Sequence, residues 1–273
     1  MMFHTFKTAM TAGVAVAAMT VGCAGAQATE ETASADKPTV VLVHGAFADA
    51  SGWNSVALAL QKKGYKVHAW ANPLRGIAGD GAYLRAFLST IEGPVILVGH
   101  SYGGAVITNA ATDLASVSAL VYICGFALDE GEPVLGALGL GGGTTALGDH
   151  TLVRPYPGAG EGDGDGYIDP EYFKELFCDD LSDDDAAAMS VAQRPAALNT
   201  LGTPSGVPAW KTIPSWFLIG ADDRTIPVEA HRAMAERAGG IAVEIASSHV
   251  AMVSHPDAVT KLIVDAAKNA VLA

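Results

Sequence analysis

The sequence predicts one α/β domain, a doubly wound and mostly parallel sheet of about six strands flanked by helices and interrupted by an inserted cap. Three observations predict it. Short β-branched apolar runs alternate with longer helical stretches from Thr39 onward. The runs are apolar throughout, as in parallel strands buried on both faces. One interval, about ninety residues between Cys124 and Ile213, is far too long for an ordinary crossover.

The strand candidates are Thr39–Val43, Tyr65–Trp70, Pro94–Val98, Ala119–Cys124, Ser215–Ile219 and Ile241–Ile245. Between them lie helical candidates at Asn54–Lys63, Ala82–Ile91, Tyr102–Leu114, Val228–Ala238 and Pro256–Val271. The long interval reads as a cap at about 127–211. It opens on Gly141–Gly143, passes an acidic glycine-rich turn at Gly158–Gly166 and then turns helical. Asp169-Pro170 starts one helix; Ser182 is an N-cap for another, with Asp183, Asp184 and Asp185 in its first turn. The stretch Glu161 to Asp169 echoes a calcium loop, with oxygen ligands at alternate positions, but Tyr172 stands where the bidentate Glu is required. It is therefore read as a solvated turn.

The first residues lie outside this domain. Met1–Lys7 carries a basic residue and no acid, Thr8–Gly25 is small and apolar, and Ala26-Gln27-Ala28 has the form of a cleavage site. That is the anatomy of a signal peptide over 1–28, with a polar lead-in over 29–38 and the α/β domain over 39–273. A periplasmic or secreted protein is expected, with no stable membrane span. Lipid attachment at Cys23 is the weaker alternative, because Thr20 stands where a lipobox has Leu. Loss of the leader leaves Cys124 and Cys178, read as two unpaired thiols because nothing local brings them together. Half the chain is apolar and 16% is charged, with a net charge of −13. That balance argues against nucleic acid as a partner, which needs the opposite sign. Nothing in the sequence fixes the oligomeric state.

Gly99-His100-Ser101-Tyr102-Gly103 follows a strand and precedes a helix, the strand–turn–helix setting of a nucleophile elbow. The turn is so tight that side chains at Gly99 and Gly103 would meet neighbouring backbone. A serine hydroxyl needs a base that is itself oriented by a carboxylate. After the cap, one strand ends at Gly220 and leads into Ala221-Asp222-Asp223-Arg224. The last strand leads into Ser247-Ser248-His249. Asp223 is preferred over Asp222 by its spacing from Gly220, and His249 over His255, which stands at the start of the last helix. His100 is read as a packed core histidine; His44, His68, His150 and His231 are assigned to structure or surface. The oxyanion donors are the backbone N–H groups of Tyr102 and Ala46, with Phe47 as the runner-up to Ala46. Phe47 and Trp53, with Tyr102, are candidate walls of a substrate pocket.

Val40-Val-Leu-Val-His-Gly-Ala46, the elbow, Asp222-Asp-Arg-Thr-Ile-Pro227 and Ser247-Ser-His-Val-Ala-Met252 together resemble the α/β-hydrolase superfamily. They are most similar to the compact branch of methyl-salicylate-type esterases, hydroxynitrile lyases and pyrethroid-type esterases. The resemblance implies an α/β-hydrolase fold, a Ser101–His249–Asp223 triad, no metal or organic cofactor, and a small-molecule ester as substrate. The related lyases carry lysine directly after the histidine and threonine at the position of Gly45. Here these are Val250 and Gly45, so ester hydrolysis is favoured over cyanohydrin cleavage. A binding protein of very slow turnover on the same scaffold is the other alternative.

Overall fold

The run Val40–Val43 is fully buried, and each such aliphatic side chain contributes about 1.5–3 kcal/mol by leaving water. It forms strand β1 (Thr39–Val43) in a computed structural model that describes residues 37–270. The signal-peptide, cleavage and Cys23 assignments lie outside the described residues. So does nearly all of the 29–38 lead-in.

Strands β2 (Val67–Trp70), β3 (Val95–His100), β4 (Val117–Ile123), β8 (Ser215–Gly220) and β9 (Ile241–Ile245) join β1 in one parallel sheet. Its order is β2-β1-β3-β4-β8-β9. The chain steps from β1 outward to β2 and then returns past β1 to β3. Right-handed crossovers therefore put helix α1 (Asn54–Lys62) on one face, and α2 (Ile77–Leu88), α3 (Tyr102–Ala110) and α8 (Val228–Arg237) on the other. The last helix, α10 (Pro256–Ala270), packs beside α1. The four middle strands are buried along almost their whole length, whereas β9 is an edge whose Ile241 and Val243 stay exposed. Such a sheet offers its site at the carboxyl ends of the strands, and the loops after β1, β3, β8 and β9 all open there.

Helix α2 begins at Ile77, one turn before the expected Ala82. Gly76, Gly79 and Gly81 disguise that turn, but Asp80 accepts from the backbone N–H groups of Arg75 (3.0 Å) and Gly76 (3.3 Å) and fixes it.

The segment between β4 and β8 differs more from expectation. It contains a second, antiparallel sheet, β5 (Thr151–Arg154), β6 (Asp165–Ile168) and β7 (Ala196–Ala197), paired in the order β5-β6-β7. Around it lie α4 (Val134–Ala137), α5 (Pro170–Phe177), α6 (Asp183–Val191) and α7 (Asn199–Gly202). Asp169 and Ser182 cap α5 and α6 as their sequences predict. The acidic stretch is more than a solvated turn. Residues 165–168 are strand, Asp165 pairs with Arg75 at 2.5 Å, and Asp163 accepts from the Tyr156 hydroxyl and the N–H groups of Gly164 and Asn199. The Ala197 N–H donates to Leu74 and the Thr225 hydroxyl to Leu176, tying the segment to the loops after β2 and β8. A short helix, α9 (Ala251–Ser254), follows the loop after β9. Cys124 and Cys178 are both buried and unpaired. Among the described residues no helix is long and apolar enough to cross a membrane.

Candidate active site

The elbow forms because β3 must turn into α3 within one residue. Ser101 takes φ 53°, ψ −126°, a conformation that costs about 1–3 kcal/mol and is imposed by the packing around it. A Cβ on Gly99 would lie 2.6 Å from the Gly103 carbonyl oxygen, and one on Gly103 2.4 Å from that of Val43. Both positions therefore exclude any side chain. Ser101 itself is 5% exposed.

The loop after β1 is moulded onto the serine. A Cβ on Gly45 would lie 2.6 Å from the Ser101 Cβ, so only glycine allows this approach. His44 holds the loop's shape: its Nδ1–H donates to the Gly45 carbonyl at 2.9 Å, and its Nε2 accepts from the Asn72 N–H at 2.9 Å. Asn72 returns a bond to the His44 carbonyl. The Phe47 N–H is spent on the Arg194 carbonyl at 3.0 Å. The N–H groups of Ala46 and Tyr102 meet no acceptor among the described residues. Tyr102 opens α3, where a free backbone N–H at the helix N-terminus favours negative charge. The Tyr102 hydroxyl donates to buried Asp80 at 2.9 Å and anchors that residue.

Asp223 and His249 come together from the loops after β8 and β9. The His249 Nδ1–H donates to Asp223 Oδ2 at 2.7 Å, with both side chains fully buried. Asp223 Oδ1 accepts from the N–H groups of Thr225 (2.8 Å) and Ile226 (2.9 Å). Burial alone would push the Asp223 carboxyl up. The His249 charge and the hydrogen bonds from His231 and His249 outweigh it and hold the group well below the usual carboxylate range. With Nδ1 protonated, His249 Nε2 is the bare nitrogen; it is buried and has no partner among the described residues. The Ser101 hydroxyl is not bonded to it in this arrangement, and apo sites often close that bond only with substrate present. Asp222 is exposed. His255 stands ahead of α10, its Nδ1 2.9 Å from the Ser254 hydroxyl.

Two of the structural histidines lie against the site, and one pocket assignment changes. His231, read as structure or surface, is buried and structural: its Nε2–H donates to the same Asp223 oxygen at 3.0 Å. The available signal is its place in α8, the helix that begins directly after the loop carrying Asp223. His100 is packed, as its position suggests, but it packs on the site. Its Nε2–H donates to the His249 carbonyl at 3.0 Å, and the two rings lie 4.7 Å apart. Phe177, at the end of α5, covers His249 from the other element, with ring centroids 5.1 Å apart. Trp53 lines no part of the cavity over Ser101; it is fully buried, edge-on to His100 at 6.4 Å. Phe47 does line that cavity, together with Phe126, Val134, Leu138, Leu147 and Leu201.

Cys124 Sγ, an Asp223 oxygen and a His231 nitrogen lie within 4.8 Å of one another. Each Asp223 oxygen already accepts two donors, and burial holds the Cys124 thiol well above its ordinary value. With the Asp223 oxygens saturated by donors and the Cys124 thiol kept protonated, the trio is not an open ligand set.

Burial pushes the pKa values of His44 and His100 below their ordinary 6.5. Both are neutral in the fold and take up a proton on unfolding once the pH falls below that value. Stability is therefore complete above pH 6.5 and falls below it, by up to about 1.4 kcal/mol per pH unit for each ring. Asp223, depressed below 3.8, adds its own loss only in stronger acid. Urea unfolding at pH 7 and pH 5 measures the difference, and His100→Asn is expected to make the slope shallower by one proton.

The sequence profile described as the alpha/beta hydrolase family matches residues 40–262. The chain is similar to alpha/beta hydrolase nvfD of Aspergillus novofumigatus, at 27% identity over 259 residues, covering 86% of this chain and 98% of that one. It is also similar to a pyrethroid hydrolase of Sphingobium wenxiniae, at 26% identity over 252 residues, covering 83% and 86%. The crystal structure of polyneuridine aldehyde esterase shares the fold, with a TM-score of 0.73 at 21% identity over 84% of this chain and 98% of that one. A profile match that runs from the first strand into the last helix spans the whole sheet, and the chain belongs to the alpha/beta hydrolase family.

Proposed function

We propose that this hydrolase cleaves small carboxylic esters through an acyl-enzyme on Ser101. The observation that carries the reading is His249, whose Nδ1 is committed to Asp223 while its Nε2 is left bare next to the elbow. In this reading Ser101 Oγ attacks the ester carbonyl and His249 Nε2 takes its proton. The imidazolium, stabilised by Asp223, then protonates the leaving alcohol. The N–H groups of Ala46 and Tyr102 receive the oxyanion, a contribution of about 3–4 kcal/mol for a single such donor. Water deprotonated by His249 then releases the acid. The relatives named as pyrethroid hydrolase and carbendazim hydrolyzing esterase support hydrolysis of this class. The cavity walls favour an uncharged group, because a charge buried there without a partner is costly. We further propose export, with cleavage after Ala28.

The experiment uses the chain from Thr29 on p-nitrophenyl esters of increasing acyl length, followed by a fluorophosphonate and peptide mass mapping. Turnover with a single adduct on the Ser101 peptide is expected. Turnover with the adduct elsewhere, or none on any ester, overturns the reading.

A further inference from the structure

His249 lies on a short loop between β9 and α9, and its position depends on what fixes that loop. Three groups do so. The Asp222 N–H donates to the Ser247 carbonyl at 3.1 Å, and the His100 ring donates to the His249 carbonyl at 3.0 Å. The third is Asp180, which follows α5 in the inserted segment. One of its oxygens accepts from the Ser248 hydroxyl. The other accepts from the Ser248 N–H at 3.1 Å and lies 3.3 Å from the Ser247 hydroxyl. His255 Nδ1 is 3.7 Å from the same oxygen. The side chain is three-quarters buried, and of the three it is the only charged group and the only one from outside the sheet domain. Burial would raise its carboxyl, but the Ser248 donors outweigh that and hold it below the ordinary value. It is therefore ionised wherever the protein is folded near neutrality.

We infer that Asp180 is a positioning residue, a clamp from the insertion on Ser248 that holds His249 in register with Asp223 and the elbow. Charge-assisted bonds to a backbone N–H and a hydroxyl are the stronger kind, and both fall on the residue next to the base. Phe177, three residues earlier, presses on the imidazole itself, so the same turn of chain fixes both ring and loop. The inference rests on the proposed role of His249.

The test compares Asp180→Ala, Asp180→Asn, Ser248→Ala and the Asp180→Ala/Ser248→Ala double variant in the full mature chain. With an ester that the parent hydrolyses, Asp180→Ala is expected to lower kcat about 10- to 100-fold, the loss that follows a displacement of about 1 Å in a reacting group. KM stays near the parent value, because Asp180 does not line the cavity. Asp180→Asn, which keeps one acceptor, falls between. The double variant loses less than the product of the single losses, as for two partners in one contact. Independently of turnover, the downfield proton NMR signal of the His249 Nδ1–H is expected to broaden in Asp180→Ala and Asp180→Asn while thermal unfolding stays cooperative. Parent-like kcat with a parent-like signal overturns the clamp. So does a double variant whose losses multiply. If the parent itself hydrolyses no ester, the proposed function fails, and the NMR signal alone decides the clamp.

Discussion

Replacing Ser101 with alanine is expected to lower kcat on a p-nitrophenyl ester about 10⁶-fold, leaving only what binding and the oxyanion donors supply. The size follows from the site's economy of groups. His249 Nε2 is unspent, and without the serine it has no proton to take except from water. The substitution removes one oxygen and keeps the Cβ that Gly45 is shaped against, so the fold should persist. Alanine tolerates the strained elbow backbone as well or as badly as serine. The measurement is steady-state hydrolysis by protein whose unfolding midpoint matches the parent. Retention of more than a trace of turnover, with no other adduct-forming residue, would sink the acyl-enzyme mechanism.

Asp223→Asn is expected to cost about 10⁴-fold in kcat, the scale for a base locked in the wrong tautomer. This carboxylate leaves no room for an amide. One oxygen accepts from two backbone N–H groups, and the other from His249 and His231. An asparagine NH₂ turned toward the histidines forces His249 to accept at Nδ1 and carry its proton on Nε2, where it cannot act as base. Turned the other way, the NH₂ faces the Thr225 and Ile226 donors. Either orientation buries an unmatched donor, so stability should also fall by about 1–3 kcal/mol. Urea unfolding with kinetics on the same sample separates the two losses. An Asp222→Asn control, on an exposed carboxylate, should change neither.

The parallel sheet is plain in the sequence because its four middle strands, buried on both faces, read as unbroken apolar runs, and the two edge strands also fall on predicted runs. The elbow and the two late loops followed from where those runs end. What was hidden depends on contacts between distant residues. β5 is almost wholly exposed and β6 is built around Asp165-Gly166, so neither has an apolar signature. Their pairing, and the bonds from Ala197 to Leu74 and Arg75 to Asp165, hold them in place. Glycines disguised the first turn of α2 for a related reason: Asp80, not propensity, fixes it. His231 reads only as structure or surface because nothing local separates a histidine facing solvent from one facing a carboxylate eight residues back. Trp53 reads as a pocket wall because it is close in sequence to the loop after β1, yet the 3-10 turn at Ala50–Trp53 drives its ring into the core behind His100.

Phe177 belongs to the inserted segment, yet its ring lies against His249. Suppose a designer grafted the corresponding segment of a relative onto this sheet to acquire a new substrate range. The cassette would bring new cavity walls, but it would also take away one face of the imidazole's packing. On the proposed mechanism, selectivity and proton transfer would thus be inherited together. A successful chimera would need to carry an aromatic residue at the end of that helix, or matching changes in the loop after β9.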